Sequence, residues 1–177
     1  MTEPIINIMT LSGINRVGLK GPNAEQWLQA QNIAVPSTPN SWLETSDQVM
    51  VLRLGKTEFL IESLTEYACF ARIFAAAQPI ATGVYRVMRA DVTYNLTGNQ
   101  IAPLLAELCS LDLSPNALPT NTLLMTQLAG ISVIVIRKEA DAQSEYRLWC
   151  DASYGDYLQE SLQEVAHDIL SAIRGRS

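Results

Sequence analysis

The segment CSLDLSPNALPTN, which begins at Cys109, brings three reactive side chains close together. Cys109, Ser110 and Asp112 supply a thiol, a hydroxyl and a carboxylate, which act in nucleophilic catalysis when a neighbouring base activates the nucleophile. That base is most often a histidine, and the only histidine of the chain is His167. Helical periodicity predicts that His167 lies on the solvated face of the last helix, with Glu160. We therefore predict no catalytic residue in this chain.

The same segment has the chemistry of a corner between a helix and a strand. Pro115 fixes its own φ and favours extended geometry in the residue before it. Leu111 and Leu113 alternate with Asp112, so we expect the leucines to enter the core and the carboxylate to point away from it. Cys109 then becomes a small buried hydrophobe at the end of a helix.

Composition and charge restrict the class of protein. Of the 177 residues, 48% are apolar and 17% are charged, which is typical of a globular protein with a sizeable core. The net charge of −6, without a basic run, argues against nucleic acid as a partner. No apolar run approaches the roughly 20 residues that cross a bilayer, and the N-terminus lacks the features of a secretion signal. We expect a cytoplasmic protein that binds neither membrane nor nucleic acid.

The three cysteines, Cys69, Cys109 and Cys150, are widely spaced and form no CxxC pair. This spacing favours buried reduced thiols over a disulfide framework or a zinc site. The sequence also lacks a closed set of metal ligands and the glycine-rich motifs that bind phosphates or dinucleotides. We therefore predict no metal site and no cofactor held by this chain.

Asp91 is the carboxylate whose setting most suggests binding. It lies in the extended run ADVTYNL, shortly after Arg86 and Arg89, where an acid could be buried and paired. One interpretation is a strand-end carboxylate that accepts hydrogen bonds from backbone amides. The other is a residue that lines a ligand cleft.

One pattern of elements occurs twice along the chain. LKGPNAEQWLQA (19–30) and LTGNQIAPLLAE (96–107) both combine a strand end, Leu-x-Gly and a helix. Gly21 followed by Pro22 predicts that the first helix begins with proline in its first position. The second helix should begin near Gln100, so that its own proline falls in the first turn.

Strands and a second helix follow each copy of the pattern. VMVLRL and EFLIES predict a hairpin over residues 49–63, and LLMTQL, ISVIVIR and EYRLWC predict three strands over residues 123–150. Each set leads into a helix with a predicted N-terminal cap, formed by Ser63 with Glu66 and by Ser153 with Asp156.

Hairpins outnumber helices in this order, which favours an α+β fold over a parallel doubly wound sheet. The short link between the two halves, near residues 77–83, predicts that they pack as one unit. We expect a single domain over residues 1–177, with internal repeats at about 13–78 and 83–173, each of β-α-β-β-α type.

Four stretches form an ordered pattern along the chain: LKGPNA (19–24), IAVPSTPNSW (33–42), LRLGKTEFLI (52–61) and DVTYNLTGNQIAPLLAELCSLDLSPNALP (91–119). Taken in this order, they resemble the gamma subunit of heterotetrameric sarcosine oxidase. That subunit is itself similar to the folate-binding domain of the glycine-cleavage aminomethyltransferases. The chain departs from the usual pattern at Lys56, at Phe59 and near Asn121, which would fit a divergent paralogue.

The resemblance implies two repeats that exchange their first strands. It also implies a non-catalytic subunit of a flavoenzyme that oxidatively demethylates sarcosine and passes the one-carbon unit to tetrahydrofolate. The flavin and tetrahydrofolate would belong to flavin-bearing alpha and beta partner subunits. Asp91 and Tyr94 are the nearest match to cofactor-binding residues of the superfamily. Trp42 is expected in an apolar patch that the partners cover.

A second hypothesis is a stand-alone protein that binds a folate-like molecule in a cleft lined by Asp91. The KGCYxGQE-type motif of related proteins in iron-sulfur maintenance and tRNA modification is absent from the sequence. The aminomethyltransferases also carry a further C-terminal domain, for which we expect no room before Ser177. Both hypotheses stay open at this point, with the subunit favoured over a stand-alone transferase.

Overall fold

The computed structural model describes residues 5–64, 68–75, 79–140 and 143–175. Groups of two or three strands are separated by single helices, and a short 3-10 turn, Ala152–Tyr154, precedes the last helix. The elements are β1 (Asn7–Leu11), β2 (Asn15–Lys20), α1 (Ala24–Ala30), β3 (Ser41–Glu44), β4 (Val49–Gly55), β5 (Glu58–Ser63), α2 (Ala68–Ala75), β6 (Tyr85–Val87), β7 (Asp91–Thr97), α3 (Ile101–Leu108), β8 (Leu123–Leu128), β9 (Ile131–Ala140), β10 (Gln143–Asp151) and α4 (Gly155–Arg174).

Contacts divide the described chain into two compact units. The N-terminal unit comprises residues 13–89, and the C-terminal unit comprises residues 5–12 together with residues 90–175. Each unit contains one five-stranded antiparallel sheet and two α-helices. This composition confirms the α+β class, while the prediction of a single domain with repeats at 13–78 and 83–173 stays a prediction.

The sheet of the N-terminal unit has the strand order β3-β4-β5-β2-β6. The predicted hairpin is confirmed as β4 and β5, and its strands read as nearly continuous apolar runs because both faces are buried. One face packs with α1 and α2 in a single core. The main members of that core are Val17, Leu19, Ala24, Leu28, Val51, Phe59, Ile61, Phe70 and Ile73.

Helix α1 begins later than the sequence predicts. Its first residue is Ala24 rather than Pro22, and Asn23 is the N-cap. Gly21 and Pro22 instead belong to a turn closed by a 3.1 Å bond from the Ala24 amide to the Gly21 carbonyl. Gly21 adopts a φ of +131°, outside the helical region, so the chain reaches helical geometry only after the turn.

The sheet of the C-terminal unit has the order β1-β7-β10-β9-β8. The three predicted strands of residues 123–150 are confirmed as β8, β9 and β10. Helices α3 and α4 cover one face, and α3 begins at Ile101 with Gln100 as its N-cap, as predicted. The main members of this core are Tyr94, Leu96, Leu104, Leu105, Val133, Val135, Tyr146, Leu148, Leu158 and Leu162.

Helix α4 is capped differently from the prediction. Tyr154, not Ser153, is its N-cap, and that residue makes no capping hydrogen bond through its side chain. The carboxylate of Asp151 accepts a bond from the Ser153 amide at 2.9 Å and thereby caps the 3-10 turn before the helix. The other predicted cap, Ser63 with Glu66, lies partly outside the described residues.

Three edge strands were not anticipated from the sequence. β1 pairs antiparallel with β7, β6 with β2, and β3 with β4. All three are short or largely exposed, so none carries the apolar run by which a strand is recognised. Each therefore lies at the end of a sheet, with one neighbour among the described strands.

Candidate functional site

Asp91 is the first residue of β7 and is partly buried. It lies opposite Asp151 of β10 in the antiparallel register, and the Ala152 amide donates to the carbonyl of Ala90 at 2.8 Å. The sequence correctly placed this carboxylate at the end of a strand. A role in binding stays a prediction.

Tyr94 lies in the core of the C-terminal unit, with 1% of its surface exposed. Its hydroxyl donates a 2.8 Å hydrogen bond to the carbonyl of Gly155, the first residue of α4. Burial, with smaller contributions from Cys150 and Asp156, raises the pKa of Tyr94 to about 12. The hydroxyl therefore stays protonated at neutral pH and ties strand β7 to the start of α4.

The geometry of β7 separates the two predicted cofactor-binding residues. Side chains alternate between the faces of a strand, so Asp91 and Tyr94, three positions apart, point to opposite faces. Tyr94 joins the helix-covered core, whereas Asp91 shares its face with Thr93. The two side chains therefore face opposite sides of the sheet, and their predicted role in cofactor binding stays a prediction.

The buried cysteines are poor nucleophiles in this environment. Burial raises the pKa of the Cys150 thiol to about 11, with further contributions from Asp91 and Asp151. Since the thiolate is the reactive form, Cys150 is inert near neutral pH. Cys109 is also buried at the end of α3, as the sequence predicts, while the side chain of Cys69 lies outside the described residues.

The remaining candidates for chemistry do not converge on a site. His167 is exposed on α4, as predicted. Within the described parts of the chain, no group of three or more His, Cys, Asp or Glu residues is placed to hold a metal ion. Glu62 forms a buried ion pair with Arg16 across β2 and β5. Glu62 therefore stabilises the fold of the N-terminal unit through this ion pair.

The segment after Cys109 is a backbone corner held by two side chains from the sheet. The hydroxyl of Tyr146 donates to the carbonyl of Leu113 at 2.8 Å, and Nε of Arg137 donates to the carbonyl of Leu118 at 2.8 Å. Burial raises the pKa of Tyr146, so this donor stays protonated. The corner is thus anchored to strands β9 and β10.

One detail of that corner differs from the prediction. Leu113 is buried, but Leu111 is 47% exposed, because the segment forms bends and turns rather than a strand with alternating faces. Asp112 points outward as expected and accepts a 2.8 Å bond from the Ser114 amide, which lowers the pKa of its carboxyl.

The proline corner of the N-terminal unit is held in the same way. Nη1 of Arg53 donates to the carbonyl of Pro36 at 2.8 Å, and Nη2 donates to the carbonyl of Lys56 at 3.0 Å. The same guanidinium forms a two-point ion pair with Glu25, at 3.1 and 2.8 Å. It also lies 5.3 Å from the ring centre of Phe59.

Arg53 and Arg137 occupy equivalent positions in the two sheets. Arg53 lies opposite Phe59 in the β4–β5 pairing, and Arg137 lies opposite Tyr146 in the β9–β10 pairing. Both arginines are more than nine-tenths buried. Sequence reasoning missed them because Arg53 is a single charge within an apolar run and Arg137 comes at the end of one, where a charged residue is ordinary.

The C-terminal unit also contains a small cavity of about 200 Å³. It opens between the start of α3, the proline corner and the first part of β10. Its volume is below the range of drug-sized ligand pockets, so only a small molecule fits. The lining residues are Gly98, Asn99, Ile101, Ala102, Pro115, Ser144 and Tyr146.

Trp42, the expected centre of an apolar patch, is half-buried on the edge strand β3. The large apolar side chains with the greatest exposure lie elsewhere, and Met88 reaches 77%. The assignment of a docking patch to Trp42 stays a prediction.

Two five-stranded antiparallel sheets, each with a Leu-x-Gly turn into a helix, define a folate-binding-like α+β fold. A chain of the heterotetrameric sarcosine oxidase from Corynebacterium sp. U-96, in complex with pyrrole 2-carboxylate, shares it with a TM-score of 0.76 and 20% identity. That match covers 95% of this chain and 87% of the other. The glycine cleavage system aminomethyltransferase T from Bartonella henselae matches with a TM-score of 0.60 and 18% identity.

The second match covers 91% of this chain but 46% of the aminomethyltransferase, so this chain spans just under half of that protein. Both likenesses confirm the expected sarcosine-oxidase-like fold. No family model and no curated protein matches the sequence. In the described part of the chain, no helix is both long and apolar enough to cross a membrane.

Proposed function

We propose that this chain is the small, non-catalytic gamma-type subunit of a sarcosine oxidase-like flavoenzyme complex. The observation that carries the proposal is the match to a chain of a heterotetrameric sarcosine oxidase, which covers most of both chains. The aminomethyltransferase, by contrast, is about twice as long as the part that matches. A subunit role accounts for a match that covers 95% of this chain and 87% of one chain of an assembly.

The state of the polar side chains supports a non-catalytic role. Tyr94, Cys150 and Tyr146 are buried with raised pKa values, and Glu62 is paired with Arg16. The three groups with raised pKa values are not poised to exchange protons near neutral pH, and the ion pair of Glu62 stabilises the fold. In this proposal, oxidation of sarcosine and transfer of the one-carbon unit to tetrahydrofolate take place in flavin-bearing alpha and beta subunits in the cytoplasm.

We further propose that the two units are repeats that exchange their first strands. Strand β1 precedes the N-terminal unit in sequence but pairs in the C-terminal sheet, and β6 pairs in the N-terminal sheet. The turns beside which β6 and β1 lie are alike, because Gly21 and Gly98 have φ values of +131° and +133°. Duplication followed by exchange explains the common strand order of the two sheets.

The proposed function is tested by purifying a tagged chain from its native cell at physiological salt. We expect flavin-containing partners to co-elute and the eluate to consume oxygen when sarcosine is added. Met88→Asp, at the most exposed apolar side chain, tests whether this surface contacts the partners, and Gln29→Asp on an exposed position of α1 is the matched control. Recovery of the chain without any flavoprotein would contradict the proposal.

Calorimetry of the isolated chain with tetrahydrofolate separates the subunit from a stand-alone folate binder. The subunit proposal predicts no saturable heat. Micromolar binding that Asp91→Ala abolishes would favour the stand-alone binder instead.

A further inference from the structure

Strand β1 is joined covalently to the N-terminal unit but is held by the C-terminal unit. A short link, Ser12 to Ile14, separates it from β2. Its residues pair with β7, and Oγ1 of Thr10 lies 3.4 Å from Oε1 of Gln159 on α4. Within the described parts of the chain, every hydrogen bond of residues 5–11 is made to the C-terminal unit. The strand is therefore a separate piece of that unit's sheet.

The turn at residues 98–100 recognises the main chain of the entering strand. Oδ1 of Asn99 accepts a 2.8 Å hydrogen bond from the Ile5 amide, and the Gln100 amide donates to the Ile5 carbonyl at 3.3 Å. That carbonyl oxygen lies 2.2 Å from the position that a Cβ atom on Gly98 would take. A glycine is therefore required for the strand to enter. These contacts are made to backbone atoms that any extended segment presents.

The side chains of β1 add selectivity for an alternating apolar pattern. Ile6 and Ile8 pack against the core of the C-terminal unit, whereas Asn7 and Met9 are exposed. Residues 5–12 carry no charged side chain, so two copies of this strand do not repel each other. The edge of β7 and residues 98–100 together form the β1 groove. This groove takes an uncharged strand with apolar residues at alternate positions.

The N-terminal unit receives its own edge strand in the same manner. A Cβ atom on Gly21 would lie 2.2 Å from the carbonyl oxygen of Gly83, just before β6. The Asn23 amide donates to that carbonyl at 3.2 Å, and Nδ2 of Asn23 donates to the carbonyl of Thr82 at 3.0 Å. Both units therefore hold an edge strand through main-chain contacts at a glycine turn, rather than through one particular sequence.

Gly13 is the residue at which the link after β1 can change direction. It has a φ of +72°, and a Cβ atom there would contact no other atom within 4 Å. Hinges are single loop residues that absorb a large change in φ and ψ, and an open glycine does so readily. A change at Gly13 would carry β1 away from its own sheet.

We propose that the β1 groove also binds β1 of a second copy of this chain, so that two chains exchange this strand reciprocally. The contacts in the groove are the same whichever chain supplies the strand, and exchange of an identical element is a low-cost route to a dimer. The strand of the same chain competes, with an effective concentration of about 1 mM for a short link. Exchange should therefore become appreciable near that protein concentration. The proposal is independent of the subunit role, since it concerns the isolated chain.

The first experiment measures the mass of the isolated chain by size-exclusion chromatography with light scattering, after incubation just below its melting temperature. We expect a monomer at about 10 µM and a growing fraction of dimer toward about 1 mM. Deletion of Gly13 strains the link and should lower the concentration of half-dimerisation at least about tenfold, whereas insertion of Gly-Ser after Gly13 should raise it. A monomer at every concentration in both the wild type and the deletion variant would overturn the proposal, as would oligomers that grow beyond the dimer.

The second experiment locates the strand in the dimer. Nδ2 of Asn7 lies 3.3 Å from Oγ1 of Thr97, so these side chains are adjacent across β1 and β7. A chain with Asn7→Cys is mixed with a chain carrying Thr97→Cys, both in a Cys69→Ser background, and exchange predicts a disulfide-linked heterodimer. A chain with both substitutions should close an internal disulfide at low concentration, which shows that the pair can react. Asn7→Cys mixed with Met125→Cys, an exposed position on β8, is the control for random collision, and equal cross-linking in both mixtures would contradict exchange.

Gly98→Ala separates strand exchange from adhesion between loose strands. The added Cβ atom blocks the β1 groove in every copy, so β1 is released but finds no acceptor. We expect this variant to lose the dimer, whereas Gly130→Ala, whose Cβ atom meets no neighbour within 4 Å, should keep it. Circular dichroism checks that both variants are folded at the temperature used. If Gly98→Ala instead dimerises more than the wild type, association does not depend on the groove and the proposal is wrong.

Discussion

Replacement of Gly98 by alanine should release strand β1 from its sheet. A Cβ atom at this glycine would lie 2.2 Å from the carbonyl oxygen of Ile5, whereas real Cβ contacts are not shorter than 3.0 Å. Its φ of +133° is also a conformation that side-chain-bearing residues rarely adopt. The backbone at Ile5, which leads into β1, must therefore move away from the turn at Gly98.

The expected loss in the free energy of unfolding of Gly98→Ala has two contributions. Backbone strain at such a φ costs about 1 to 3 kcal/mol. Displacement of Ile5 also weakens two hydrogen bonds, from the Gln100 amide to its carbonyl at 3.3 Å and from its own amide to Oδ1 of Asn99 at 2.8 Å. At about 1 kcal/mol for each bond, the total loss is about 3 to 5 kcal/mol. This corresponds to a fall of about 10 °C in melting temperature for a chain of this size.

The assay is thermal unfolding of Gly98→Ala beside Gly130→Ala. Gly130 also has a positive φ, of +81°, but a Cβ there would contact no other atom within 4 Å. This control carries only the cost of the left-handed conformation, about 1 kcal/mol. Amide hydrogen exchange should in addition become faster across β1 in Gly98→Ala and stay unchanged there in Gly130→Ala.

Two outcomes would refute the reasoning. One is an equal loss of stability in both variants, which would mean that the close approach of Ile5 contributes nothing. The other is a large loss without faster exchange in β1, which would place the damage elsewhere than at the docked strand. Gly21→Ala, at the equivalent turn, should behave like Gly98→Ala, because its Cβ would lie 2.2 Å from the carbonyl oxygen of Gly83.

Three further predictions concern the buried polar groups. Because the pKa of Tyr94 is about 12 in the folded chain and about 10 when unfolded, the unfolded chain releases this proton first. Stability present below about pH 10 should then be lost toward pH 12. Tyr94→Phe, followed by denaturant unfolding, should show a smaller loss than the wild type, because Tyr146 and Cys150 still contribute. An equal slope in both proteins would contradict the assignment. In a Cys69→Ser background, Cys109 and Cys150 should react with a thiol reagent near neutral pH only after unfolding, and rapid labelling of the folded chain would contradict their burial. Tyr146→Phe should cost about 1 to 3 kcal/mol by leaving the Leu113 carbonyl without its donor, whereas exposed Tyr154→Phe should change the free energy of unfolding by less than about 0.5 kcal/mol.

The sequence predicts those parts of the fold that have a strong apolar pattern. Strands β4, β5 and β9 contain apolar runs, β10 is rich in aromatic and other apolar residues, and the buried face of α4 repeats with helical spacing. The existence of these elements therefore follows from their own residues. β1, β3 and β6 escape that reasoning, because an edge strand is defined by the neighbour with which it pairs rather than by its own residues.

How the candidate site residues are placed relative to one another could not be read from the sequence, and the reason is again geometric. Asp91 and Tyr94 are close in sequence, but the alternation of a strand sends them to opposite faces. Arg53 and Arg137 are 84 positions apart, and their equivalence appears only when the strand registers are compared. Proximity in sequence was thus a poor guide to shared chemistry, whereas position within the sheet is a good one.

The two arginines also show how a duplicated corner keeps its shape when one side chain differs. A buried guanidinium needs acceptors, and backbone carbonyls of the proline corner supply some of them in both units. In the N-terminal unit the carboxylate of Glu25 adds a two-point ion pair. Ala102 stands at the equivalent place in the C-terminal unit, four positions after the turn glycine, and carries no carboxylate. The corner is held there all the same, because the bonds from the sheet to its backbone carbonyls remain.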